Sequence, residues 1–147
     1  MIVNENLVLN SNQKITTEDY ELIELSLSES LQVGESYTIT VYGEFNEAPF
    51  IQIFNSVSNG GSFGNANNYG DKCIGTFVYD IRREGQVHNK LILYNVDRYK
   101  KYKISIDKIK LEEGNQSTVY IPNNSDINIE NNAFSVGGGY YKEIKSI

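Results

Sequence analysis

Cysteine and histidine occur once each in the 147 residues, as Cys73 and His88, and the chain has one methionine and no tryptophan. One cysteine cannot close an internal disulfide, and one cysteine with one histidine cannot furnish the soft ligands of a structural zinc site. Both staples of small domains are excluded. No uninterrupted apolar run exceeds a handful of residues, and residues 1–12 alternate polar and apolar positions without a basic region followed by an apolar one. The expectation is therefore no signal peptide and no membrane span. Helical periodicity is missing as well: Thr16, Thr17, Glu18 and Asp19 can open a short capped turn, but β-compatible residues 20–27 follow. Neither repeats nor heptads occur, which excludes a coiled-coil shaft within these residues.

What is present is the material of strands and turns. Hydrophobic residues make up 39% and charged residues 22%, too apolar for intrinsic disorder, and the length suits one domain with its own core. Eleven tyrosines and six phenylalanines supply the aromatics, and asparagine recurs throughout. The net charge of -6 is uneven, because residues 1–60 hold nine acids against Lys14 alone. Steering to nucleic acid is disfavoured, and no nucleic-acid partner is expected. The basic exception is Arg98, Lys100, Lys101, Lys103, Lys108 and Lys110, interleaved with Tyr99 and Tyr102. Such a pattern can track phosphates and stack bases, but it is also what the solvated face of a strand looks like.

Two-residue alternation favours the strand face. Tyr37, Ile39, Val41, Gly43 and Phe45 share one phase, against Thr38, Thr40, Tyr42 and Glu44 on the other. The same period marks Ile23, Leu25 and Leu27; Ile51 and Ile53; and Phe77, Tyr79 and Ile81. Further strands are expected at 7–9, 90–96, 102–111 and 118–121, about eight in all, spaced as in a sandwich or barrel. In the 102–111 run the apolar phase switches between Ile106 and Ile109. A β-bulge at Asp107 and Lys108 restores it and points Lys103, Ser105, Lys108 and Lys110 outward. Residues 56–72, rich in Asn, Gly and Ser, read as a long irregular loop, and 123–132 as a linker. The domain is thus expected over 1–132, with 133–147 a tail or final strand hinged at Gly137, Gly138 and Gly139.

Chemistry is hard to place on this inventory. His88 sits in a polar hairpin-like setting with no nucleophile elbow, and Cys73 reads as a small buried hydrophobe. Asp80, Glu84, Glu112 and Glu113 read as ordinary turn and edge acids. Gly60, Gly61 and Gly64 lack the lysine and helix of a phosphate loop, and no calcium-loop spacing occurs. No catalytic residue, metal or cofactor is therefore expected. A binding surface remains: Tyr42, Phe50, Phe54 and Tyr94 are out of phase with their strands' core residues, and outward rings can stack on sugars beside Asn, Gln and Arg donors. The candidate carbohydrate-binding residues are Tyr42, Phe54, Tyr69, Tyr94 and Asn95. The competing reading is that these rings cover a subunit interface or a second sheet.

The segment Lys110-Leu111-Glu112-Glu113-Gly114-Asn115-Gln116-Ser117-Thr118-Val119-Tyr120-Ile121-Pro122 resembles a recurring ending of carbohydrate-binding-module-like jelly rolls in bacteriophage tail, baseplate and fibre proteins. Lys110, Leu111, Glu112, Gly114, Thr118 and Pro122 match that ending, with Tyr120 where tryptophan is usual. The strand start from Leu31 to Ile39, with Gly34, Tyr37 and Thr38, and the opening from Asn6 to Ser11 resemble the same family in the same order. The resemblance implies an all-β, two-sheet antiparallel sandwich of the jelly-roll kind. It implies a virion structural protein made in the host cytoplasm, homo-oligomeric and assembled with other virion proteins. In some members it implies recognition of a bacterial surface glycan.

Overall fold

The structure is a computed structural model and describes residues 2–127. Its strands are β1 (Ile15–Thr17), β2 (Glu21–Ser26), β3 (Ser36–Glu44), β4 (Phe50–Phe54), β5 (Ser62–Asn68), β6 (Lys72–Val78), β7 (Lys90–Tyr94) and β8 (Ile104–Glu113). The only helix among the described residues is a 3-10 turn at Asn124–Asp126. All pairings are antiparallel, and the eight strands form one sheet in the order β1-β8-β3-β6-β5-β4-β7-β2.

That sheet curls into a nearly closed barrel. The segment preceding β1 joins its two edges. Leu7 N–H donates to Leu111 O of β8, Leu9 N–H donates to Ser26 O of β2, and Ser28 N–H donates to Leu7 O. Farther along, Ser11 O accepts from Ile109 N–H and β1 continues down the same edge of β8, but β1 does not pair with β2. The seam is therefore shut at one end and open at the other.

Alternation places the core as expected in β3, β4 and β7, whereas Ile81, in phase with the buried Phe77 and Tyr79, lies beyond the end of β6 and is exposed. Ile39, Val41, Ile51, Ile53, Leu91 and Leu93 are sealed inside, and each such side chain taken from water stabilises the fold by about 1.5–3 kcal/mol. The expected bulge is present: Tyr42 pairs with Lys108 and Gly43 with Ile106, which leaves Asp107 unmatched. Ile104 and Ile106 on one side of it, and Ile109 and Leu111 on the other, all reach the same core.

Three expectations are corrected. The irregular loop at 56–72 contains β5, which has only Phe63 and Ala66 as apolar residues and is held by its ladder to β4, from Phe50 with Asn67 to Phe54 with Ser62. β5 passes so close to β6 that a Cβ on Gly75 would collide with the Asn65 carbonyl oxygen and lie 2.9 Å from Ala66 Cα. Residues 7–9 and 118–121 are not sheet strands; Val8 makes one isolated bridge to Leu27, and 118–121 lies across the outside of the sheet. The start of the expected linker is anchored, because the buried Asn123 donates to Asn6 O at 2.7 Å and Ser28 Oγ at 2.8 Å. The proposed boundary at 132 and the tail at 133–147 lie outside the described residues.

Candidate functional site

The residues of the 110–122 motif form a clasp. After β8 the chain turns at Gly114, whose φ of +98° is open to glycine, and crosses the outer face of β3 and β8 as a strap. Thr38 Oγ1 donates to Gly114 O at 2.8 Å, and the hydroxyls of Thr40 and Ser117 meet at 2.6 Å. Beneath the strap, the Lys110 ammonium donates to Thr118 Oγ1 at 2.8 Å and Val119 O at 2.7 Å. Glu112 accepts from Thr118 N–H at 3.1 Å, from the Thr118 hydroxyl at 2.5 Å and from Asn4 Nδ2 at 3.2 Å. The two charges are 3.7 Å apart and fully buried.

This corrects two sequence readings. Lys110 does point away from the core, but the strap covers it, so it does not belong to a solvated face; Glu112 is likewise no ordinary edge acid. Burial pulls the Lys110 ammonium below the usual lysine range, while the Glu112 carboxylate pushes it back up. With every polar contact turned inward, neither group is free to act on a ligand.

Where the strap ends, a different arrangement is open to solvent. Tyr120 meets Tyr42 edge to face, with ring centroids 6.0 Å apart, and the Lys108 ammonium lies 4.7 Å from one ring centre and 5.2 Å from the other. Desolvation, reinforced by the Glu112 and Asp71 carboxylates, holds the Tyr42 phenol above its ordinary pKa. The Tyr120 hydroxyl is 2.8 Å from Ser11 Oγ, which connects the ring pair to a cleft of about 200 Å³ lined by Asn10, Ser11, Asn12, Gln13 and Asp126. Asn10 N–H donates to Asp126 Oδ2 at 2.7 Å and fixes one wall. A narrower cleft of about 80 Å³ lies beside it, lined by Val8 to Ser11 and Gln13 on one side and Ile23 to Ser26 on the other. Amides, a hydroxyl and one carboxylate beside half-buried rings suit a hydroxylated ligand by hydrogen bonding and stacking.

Of the five sequence candidates, only Tyr42 borders this site. Phe54 and Tyr94 do face away from the main core, yet they are 8% and 1% exposed. Their rings pack at 4.4 Å, Tyr20 lies 4.7 Å from Tyr94, and Asn59 N–H donates to the Tyr94 hydroxyl from the loop above. They form a small second core under that loop and are not available to stack on a sugar. Asn95 is buried: its Nδ2 donates to Tyr102 O at 2.8 Å and Asp19 O at 3.3 Å, and its Oδ1 accepts from Val96 N–H at 2.8 Å. Tyr69 is exposed in the turn from β5 to β6. The sheet order puts β6, β5 and β4 between Tyr42 on β3 and Tyr94 on β7.

Asn10, Gln13, Asp126 and Tyr120 were not sequence candidates. The signal lay in Tyr120 alone, a ring at the exposed end of the motif. His88 accepts or donates at 2.7 Å with the buried Tyr79 hydroxyl, which also receives Gln86 Nε2 at 2.9 Å. Cys73 is buried, and burial pushes its thiol up to about 12. Among the described residues, no three His, Cys, Asp or Glu side chains cluster as metal ligands, and no helix is long and apolar enough to cross a membrane. No protein-family model matches the chain, and no curated protein matches it.

Proposed function

We propose that this chain is a non-enzymatic bacteriophage virion structural protein, a tail, baseplate, fibre or capsid-decorating component that assembles with other virion proteins. In this reading its barrel is a flattened jelly roll, with β1-β8-β3-β6 as one sheet and β5-β4-β7-β2 as the other. Support for the division comes from the ladder between β5 and β6, which is limited to Asn67 with Ile74 and Asn68 with Cys73.

The observation that carries the reading is the use made of the 110–122 motif. Lys110, Glu112, Gly114 and Thr118, four of the positions that resemble the family's ending, all help to hold the strap across the sheet, and this shared structural use supports reading them as one motif. Exposed aliphatic residues fit an assembling surface. Val3 and Val119 flank the contact of Asn4 N–H with Thr118 Oγ1, and Val33 and Val78 flank the bond from Gly34 N–H to Tyr79 O. A tagged copy expressed during phage growth should sediment with finished particles and resist washing in high salt. Recovery only in the soluble fraction, with untagged particles complete, would exclude this role.

The cleft beside Tyr120 favours one second reading, adhesion to a bacterial surface glycan. Binding to isolated cell wall that Tyr42→Ala and Tyr120→Ala abolish, with folding intact, supports it. Wall binding indifferent to both substitutions removes it.

A further inference from the structure

The loop joining β7 to β8 is held in one shape from several sides. Asp97 Oδ1 accepts from Tyr99 N–H at 2.7 Å and Lys100 N–H at 2.5 Å, Asn95 ties Tyr102, and Asn46 Nδ2 donates to Lys103 O at 2.6 Å. Arg98 lies over the Tyr20 ring at 5.7 Å. At the tip of this pinned loop Tyr99 is 94% exposed, with Arg98, Lys100, Lys101 and Lys103 around it. A rigid loop that presents a bare aromatic ring among cations loses little entropy on docking and has the composition of an interface anchor.

The same end of the barrel carries the opposite charge. Asp19 is joined to the loop through Asn95, and Glu18 precedes it in the turn from β1 to β2. Glu47 follows Asn46 and contributes, after Tyr102, to raising the Lys100 ammonium above its usual range. Glu18, Asp19 and Glu47 are all exposed. Ion pairs among the described residues join Lys14 to Asp107, Lys90 to Glu24 and Lys110 to Glu112, and none uses a charge from this end. Unpaired charges of both signs thus lie side by side around one exposed ring.

We infer that this end of the molecule is a self-complementary contact surface for a second copy of the chain. A twofold axis beside Tyr99 brings the basic loop of each protomer onto the Glu18, Asp19 and Glu47 carboxylates of the other, an isologous arrangement that closes as a dimer. A polyanion such as a phosphate-bearing polymer is the weaker fit, because the same carboxylates would repel it. The contact specifies the self-association within the assembly reading and rests on that reading only for its setting. A dimer formed by a chain that never enters particles would remove the virion role and leave this contact standing.

The test is sedimentation of the full chain over a wide concentration range, at low and at molar salt, with circular dichroism to verify folding. Wild type should dimerise at low salt and dissociate as salt rises. Lys100→Glu with Lys101→Glu, and separately Glu18→Lys with Glu47→Lys, should each weaken the dimer by about a hundredfold or more, since like charges then meet. Mixing these two variants should restore a dimer containing one of each. A wild type that stays monomeric throughout, a dimer indifferent to both reversals, or a mixture that stays monomeric would overturn the proposal. Binding of polyphosphate that the loop reversal abolishes and the acid reversal strengthens, without any dimer, would assign the surface to a polyanion instead.

Discussion

Replacing Lys110 with methionine keeps an unbranched side chain, one heavy atom shorter, and removes its charge. Three partners lose it at once: Thr118 Oγ1, Val119 O and the Glu112 carboxylate 3.7 Å away. Breaking a buried pair from one side costs about 3–5 kcal/mol, because the remaining charge is left without its counter-ion. For a domain whose whole stability is about 5–15 kcal/mol, that is a large fraction. With about 2–4 °C lost per kcal/mol at this size, the melting temperature should fall by about 10 °C. Urea unfolding followed by tyrosine fluorescence suits a chain with 11 tyrosines and no tryptophan. Lys101→Met, on the exposed loop, should change stability by no more than about 0.5 kcal/mol. Lys110→Met combined with Glu112→Leu should cost clearly less than the sum of the single changes, with a coupling of about 2–3 kcal/mol. A Lys110→Met protein within about 1 kcal/mol of wild type, or strict additivity of the pair, would refute the clasp.

Gly75→Ala should destabilise by about 1–3 kcal/mol in the same assay, because the new methyl group meets β5 backbone; a loss below about 0.5 kcal/mol would contradict that close approach. Cys73 should resist thiol reagents at mildly alkaline pH until the chain is unfolded, and rapid labelling of the native protein would count against its burial. Its thiol is held at about 12 against an ordinary 9.0, so the folded state keeps a proton that the unfolded chain releases. Stability from this group is complete below about pH 9 and is lost as pH rises from there to about 12, at up to about 1.4 kcal/mol per pH unit. Cys73→Ala should remove that part of the alkaline slope, and an unchanged slope would reject the assignment. Tyr94→Ala should cost about 3–5 kcal/mol and Tyr42→Ala much less; the reverse order would mean that the second core is misplaced.

Local pattern made much of the fold legible. The phase change between Ile106 and Ile109 marked the bulge at Asp107 because a pleat has period two and the core accepts only one phase. The same logic put Phe54, Tyr94 and Lys110 on the outer surface of the sheet, and all three do face that way. What it could not reveal was cover. The loop carrying Asn59 roofs Tyr94, and the strap carrying Thr118 roofs Lys110, and both placements depend on contacts between segments distant in sequence. β5 was hidden for a related reason: Asn, Gly and Ser have little strand propensity of their own, and the ladder to β4 overrides it. The polar cleft was illegible because Asp126 and Asn10 meet only after the chain has closed on itself.

Assembly into particles is tested by quantitative mass spectrometry of purified phage particles from a culture that carries the encoding phage. A structural component is expected at a fixed number of copies per particle, unchanged between preparations and after washing in high salt. Particles that are infective and complete without the chain, or that carry it only in variable trace amounts, would show that it is not a virion structural component.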